Sequence, residues 1–212
     1  MRNRSSQNRP VCRSFARGVI AASAYTVLLL AAPTGPAPGQ LCVAAPFDTL
    51  EIGIQYTTGI LENEYTDFWK TGRGVESWVL TPFYAGELKL AARYLFHPGK
   101  TDTIPDYHDV FACVGWSYSL RLHHRIVIRP GASLGGSVMR FDAGGSVENK
   151  TESEISTDLF ALMALRIHGR WHVTVCSGWT RMLTYRRIDS AYVAVGVSGS
   201  LGMPRWLRGF LE

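Results

Sequence analysis

Cysteine is scarce, with four in 212 residues, which excludes a small disulfide scaffold. Acidic residues are missing altogether before Asp48. No apolar run reaches the roughly 20 residues that a membrane-spanning helix requires. Beyond residue 46 no stretch keeps a period of 3.6, so amphipathic helices are not expected there. There are no metal-spaced cysteines, no phosphate-binding glycine loop and no basic stripe of the kind that holds nucleic acid. No metal, cofactor or nucleic-acid partner is expected on these grounds.

What is present is apolar and aromatic. Hydrophobic residues make up 46% of the chain, with nine Phe, nine Tyr and six Trp, which excludes a disordered polypeptide. The formal charge of +5 is localised. Arg2, Arg4, Arg9, Arg13 and Arg17 are five of the 22 Lys+Arg, and residues 46–212 hold 17 basic and 17 acidic residues. The basic excess belongs to the N-terminal segment alone.

That segment has the order of an export signal. An Arg-rich stretch precedes the uncharged run Gly18–Ala32, and Pro33–Gly39 then breaks any helix. Residues 1–45 are therefore expected to be a signal peptide with a short Pro/Gly/Ala-rich leader, cut after Gly39 or Ala44. Residues 46–212 are the expected folded domain. Cys113 and Cys176 remain after cleavage and are expected to be free thiols.

The folded part reads as eight strands with period two. Taking alternate residues, the apolar faces run Leu50–Tyr56, Trp78–Tyr84, Leu88–Phe96, Val110–Leu122, Ile126–Val138, Ile155–Ile167, Trp171–Trp179 and Ala191–Met203, without one charged position. The opposite parity carries Glu51, Lys89, Arg93, Asp109, Arg121, Arg129, Asp158 and Arg166. Tight turns at 85–87, 123–125 and 168–170 alternate with long polar loops at 59–74, 97–108 and 141–154, and 186–189 makes a shorter fourth. Pro82 and Pro130 fall inside strands, where neither can donate to a ladder, so bulges are expected there.

Export, strict alternation, asymmetric loops and abundant aromatics together make residues 46–203 resemble the small eight-stranded bacterial outer-membrane β-barrels, the porin-like and OmpA-transmembrane-like group. The resemblance implies an all-β fold: an eight-stranded antiparallel up-and-down transmembrane barrel with short periplasmic turns and longer extracellular loops. It implies an outer-membrane location, a monomer, insertion by the outer-membrane assembly machinery, and contact with outer-membrane lipid and lipopolysaccharide. Members of the group usually end on an aromatic residue. Here Pro204 intervenes, and the last strand either ends at Met203 or extends to Phe210.

On this reading the eight charges of the inner parity form a lumen network, five basic against three acidic. Tyr56, Trp78, Tyr94, Phe96 and Trp179 are expected as an aromatic girdle toward the long loops, with Tyr84, Tyr118 and Trp171 toward the tight turns. Arg140, Arg181, Arg186 and Arg187 sit at long-loop ends as candidate lipopolysaccharide contacts, with solvated rim charge as the plainer account. His123, His124, His168 and His172 gather at two tight turns and read as solvated turn residues rather than a metal site. In the first long loop Tyr65, Phe68 and Trp69 are either exposed anchors or a lid folded onto the barrel mouth.

The expected function is non-enzymatic: a structural or surface-interaction role, or a narrow passage. Two alternatives belong to other classes. A soluble, exported, lipocalin-like barrel binding an apolar ligand would put its charges outside. A lipid A-modifying outer-membrane hydrolase would need an activated Ser; His108 and Asp109 are near the long-loop end, but the His-x-Ser-Asn pattern of the deacylase barrels is absent.

Overall fold

The computed structural model describes residues 46–62, 65–142, 150–183, 188–204, 206 and 209. The predicted signal segment, Arg186, Arg187 and Phe210 lie outside the described residues. The chain forms β1 (Thr49–Leu61), a one-turn helix α1 (Tyr65–Phe68), β2 (Gly72–Phe83), β3 (Gly86–His97), β4 (Tyr107–Ser117), β5 (Leu120–His123), β6 (Ile126–Phe141), β7 (Lys150–His168), β8 (Trp171–Met182) and β9 (Ile188–Gly202). No helix among the described residues is long and apolar enough to cross a membrane.

All strand pairings are antiparallel, and β4 and β5 both pair with β6. They are successive parts of one stave, so nine strands make eight staves. The sheet closes on itself, with β1 paired to β9 from Thr49↔Gly202 to Leu61↔Ser190. Closure leaves no open edge, and every stave has neighbours on both sides.

The gap between β4 and β5 lies opposite Pro130. Pairing runs to Ser117↔Gly131 and resumes at Leu120↔Ile128, with the register preserved across Tyr118 and Ser119. Proline has no N–H to offer, yet Tyr118 N–H still donates to its carbonyl at 2.9 Å. The expected bulge is thus a two-residue lapse in pairing without an inserted residue. At Pro82 no bulge forms: β2 and β3 stay in register through Pro82↔Glu87. The β1 pairing of β2 has already ended at Leu80, and beyond it Pro82 only accepts, its carbonyl taking the Phe47 N–H at 3.0 Å. True register shifts occur instead between Arg121 and His123 and between Arg166 and His168, beside tight turns.

Seven of the eight predicted parities appear in the barrel. Ile54, Leu90, Val114, Leu134, Leu159 and Val195 are exposed on the outside, while Glu51, Lys89, Arg93, Asp109, Arg129 and Asp158 are buried inside. The exception is β2. Trp78 and Leu80 are 1% and 2% exposed and face the lumen, with Glu76 beside them, and Val75 faces outward. A Trp fits inside because Gly53, its direct cross-strand partner, leaves a slot. A Cβ at Gly53 would lie 2.3 Å from Trp78 Cζ2. Tyr192 uses the same device over its partner Gly178, where a Cβ would come within 2.5 Å of the ring. The lumen is therefore partly apolar: Trp78, Leu80, Phe160, Leu162, Cys176, Tyr192 and Ala194 form one packed cluster. An eight-stave interior is narrow enough for side chains to fill it.

Gly53→Val is expected to destabilise the barrel by about 1–3 kcal/mol through overpacking against Trp78. Trp78→Ala in the same chain should relieve much of that loss. Urea unfolding in detergent micelles measures both; an unchanged midpoint in the single variant would show that the slot does not constrain the ring.

Candidate functional site in the lumen and at the rim

The lumen charges are grouped by level. At the tight-turn end Glu51 accepts from Arg129 Nη2 at 2.7 Å and from Ser198 Oγ at 2.6 Å. Arg129 Nε lies 2.7 Å from Glu87 Oε2, and His172 Nδ1 lies 3.6 Å from Glu51. In the middle, Lys89 Nζ donates to Glu76 Oε1 at 3.0 Å and sits 4.0 Å over the Phe160 ring. Higher still, Arg93 Nη2 donates to Thr180 Oγ1 at 2.6 Å, and Thr180 Oγ1 and Tyr192 Oη donate to Asp158 at 2.7 and 3.0 Å. The Arg93 guanidinium also lies 4.1 Å above the Tyr192 ring. These contacts offset the desolvation that burying each ion costs.

Several sequence expectations change here. Glu76, Glu87 and Tyr192 belong to the network and were not foreseen, and Thr180 and Ser198, whose inner parity the alternation gives, complete it. Arg121 and Arg166 have the inner parity but are exposed next to the tight turns. Parity carries a side chain into the lumen only where the lumen is enclosed, and those two lie beyond it. Asp109 is buried near the mouth, its Oδ1 without a hydrogen-bond partner among the described residues. Among the described residues the ions buried in the lumen are therefore Lys89, Arg93 and Arg129 against Glu51, Glu76, Asp109 and Asp158. The expected basic excess is reversed.

The long-loop mouth is plugged. Leu61, Tyr107, Met139, Met182 and Ile188 pack together, with Tyr65, Trp69 and Phe141 against them. Trp69 meets Tyr107 edge-on at 5.3 Å, and its Nε1–H donates to Pro105 O at 2.9 Å. His97 stacks on Tyr107 from within at 4.5 Å. Lys70 N–H donates to Pro98 O and Lys100 N–H to Phe68 O, both at 2.9 Å, tying the first two loops together. Of the two expectations for the first loop, Trp69 takes the lid, while Phe68 stays 46% exposed.

The expected girdle is distributed as follows. Tyr56, Tyr94, Tyr84, Tyr118 and Trp171 are exposed on the barrel, Phe96 and Trp179 half-buried, and Trp78 is in the lumen. Trp116, exposed near Tyr118 with ring centroids 6.4 Å apart, occupies the tight-turn end and was not foreseen there. Cys113 and Cys176 are free thiols. His123 and His124 adjoin at 3.8 Å between centroids, while His172 points to Glu51. Among the described residues no group of three or more His, Cys, Asp or Glu could hold a metal ion.

At the outer rim two of the four candidate arginines are described. Arg181 is neutralised by Asp189, with Nε–H and Nη2–H donating at 2.8 and 3.3 Å, and it lies 4.4 Å over Trp179. Arg140 is exposed and forms no ion pair among the described residues. Beside it His108 joins two neighbours: Nε2 is 3.2 Å from Asp142 Oδ2, and Nδ1 is 2.7 Å from Tyr94 Oη. A carboxylate accepts only, so Nε2–H donates to Asp142 and Nδ1 of the neutral ring accepts the phenol proton. Asp109, the acid adjacent in sequence, faces the lumen instead. A His–acid pair does exist on the outer surface, but the hydroxyl held on it is a phenol. These residues line a groove of about 470 Å³ with Val110, Val138, Arg140 and Thr151.

Charges inside and apolar side chains outside are the reverse of a lipocalin-like barrel. No family model matches the chain. No curated protein matches it. Solved structures do. Neisserial surface protein A aligns at TM-score 0.53 and 11% identity, over 71% of this chain and 96% of that one. Ail, the attachment invasion locus protein of Yersinia pestis, aligns at 0.52 and 11% identity, over 73% and 99%. A major outer membrane protein of Thermus thermophilus aligns at 0.52 and 8% identity, over 72% and 99%.

Removing one member of a buried ion pair strands the other. Glu76→Leu is expected to cost about 3–5 kcal/mol by leaving Lys89 buried and uncompensated. The double variant Glu76→Leu/Lys89→Met should be markedly more stable than Glu76→Leu alone. Denaturant midpoints in micelles decide it; additive losses would mean that the pair is not coupled. By architecture, charge placement and structural likeness, the chain has the fold of the small eight-stranded outer-membrane β-barrel proteins.

Proposed function

We propose that this protein is an integral outer-membrane barrel with a non-enzymatic role, a closed anchor that presents its long-loop end at the cell surface. The observation that carries this reading is the outer wall. Exposed Ile, Leu, Val and aromatic side chains cover all eight staves, and the buried ions point inward except Asp189, which pairs with Arg181 at the rim. Soluble monomers rarely expose contiguous apolar patches beyond a few hundred Å². In hydrocarbon the same surface is matched to its solvent, and a closed ladder satisfies the backbone.

Within that reading a surface-interaction role is favoured over passage of solutes. Arg129–Glu51 and Arg93–Asp158 cross the lumen at two levels, and the Trp69–Tyr107 plug seals its mouth. The tight-turn end, where β1 begins and β9 ends, faces the periplasm, and the long loops face outward. Insertion by the assembly machinery and contact with lipopolysaccharide at the rim follow as parts of the proposal. Neisserial surface protein A and Ail carry surface and attachment in their names, which is consistent with an outward-facing role here. For catalysis, the groove at His108 has Thr151 but no serine in its lining, and the Tyr94 hydroxyl is already engaged.

Fractionation with gel mobility tests the location. The protein is expected in the outer-membrane fraction, and unheated samples should migrate differently from boiled ones. A soluble periplasmic product without a mobility shift would overturn the reading. In planar bilayers the wild-type barrel should be electrically silent, and Trp69→Ala alone should leave it so because the ion pairs below remain. Steady wild-type conductance would restore the passage role.

A further inference from the structure

We propose that the groove beside Arg140 is a binding site for one phosphorylated, multiply acylated lipid of the outer leaflet, chemically a lipid A. The inference rests on the outer-membrane reading above and assigns that rim a specific ligand. The register aligns Phe96, His108, Arg140 and Thr151 in one row across β3, β4, β6 and β7, at the long-loop end of the outer wall. The next row toward the belt is Tyr94, Val110, Val138 and Ser153, and the one after it Ala92, Ala112, Gly136 and Ile155. A polar crown thus stands directly above an apolar wall that is notched by three small residues on adjacent staves. Those staves span two strand spacings, about 10 Å, which accommodates acyl chains side by side.

The chemistry of the crown selects the headgroup. Arg140 is a guanidinium without an ion-pair partner among the described residues, next to the Thr151 hydroxyl across the β6–β7 ladder. A guanidinium fork and a hydroxyl donor suit a phosphate. Asp142 is the opposing charge in the lining. It is bound to His108, on the β4 side of Arg140, so an anion is accommodated on the Thr151 side. The occupant must then be anionic at the rim and apolar below, and it must reach the groove from within the leaflet. The apolar wall of the groove is continuous with the lipid-facing belt through Val110 and Val138, which are 45% and 42% exposed. The rim lies at the outer leaflet, where the phosphorylated multi-chain amphiphile is lipid A. Arg181, already saturated by Asp189, does not offer the same site.

The test is native mass spectrometry of the full-length mature barrel in phosphatidylcholine nanodiscs, titrated with synthetic hexa-acylated lipid A carrying both phosphates. One retained lipid A per barrel is expected. Arg140→Gln should weaken retention about tenfold or more, as loss of a charge-assisted contact does. Gly136→Phe should weaken it similarly by filling the trough; a Cβ there meets only Glu154 O at 4.0 Å, so the side chain starts into open space on the outer wall. Arg181→Gln should retain lipid A as wild type does, and heat-modifiable migration confirms that each variant is folded. Equal retention by all variants, equal retention of dephosphorylated lipid A or of phosphatidylglycerol, or non-saturating uptake would each overturn the site. A barrel that inserts and shifts on the gel yet binds no lipid A loses only this proposal. A chain that does not insert loses the outer-membrane reading as well.

Discussion

The rest of the structure depends on the continuous backbone ladder. Each stave hydrogen-bonds to two neighbours, and the β1–β9 seam turns a sheet into a cylinder. In a medium without water every N–H and C=O needs a partner inside the protein, and only closure supplies one for the outermost strands. Once the sheet is closed, its two faces have different surroundings, and parity decides which of them a side chain meets wherever the lumen is enclosed. Even the departures respect the ladder: Pro130 interrupts pairing for two residues without moving the register.

Closing eight staves leaves an interior too narrow for bulk water, so its contents must satisfy one another. Two solutions share the space. Ions are paired and further hydrogen-bonded, as with Asp158 between Thr180 and Tyr192. Large rings are accommodated over cross-strand glycines, as with Trp78 on Gly53 and Tyr192 on Gly178. The aromatic plug then finishes the filling at the mouth. A lumen stocked this way serves as a core.

Much of this was legible in the sequence because inward charges mark parity. Lys89 and Arg93 fix β3, Arg129 fixes β6 and Asp158 fixes β7. The second strand was misread for a local reason: starting the pattern at Trp78 omitted Glu76, which shares its parity and belongs inside opposite Arg93. Extending the window by one residue pair would have set an acid on the lipid face and signalled the inversion. Arg121 and Arg166 show the complementary limit, since alternation does not mark where the enclosed lumen ends. The Tyr94–His108–Asp142 contacts were not readable, because they depend on which residues the β3–β4 register sets side by side and on where the chain turns after β6. Arg140 was flagged by its place at a strand end. That it has no neutralising partner among the described residues, against the pairing of Arg181, emerges only from the contacts.

The seam between β1 and β9 also sets a timetable. Thr49 meets Gly202 and Leu61 meets Ser190, so the contacts that complete the cylinder join residues almost a whole domain apart. Contacts of such long sequence separation form slowly, after loop-closure entropy has been overcome. The cylinder cannot begin to close as the chain emerges, because β1 must wait for the last strand to be made. Until then the apolar parity of eight strands is uncovered in water and prone to aggregate. The topology thus makes closure of the cylinder a single late event.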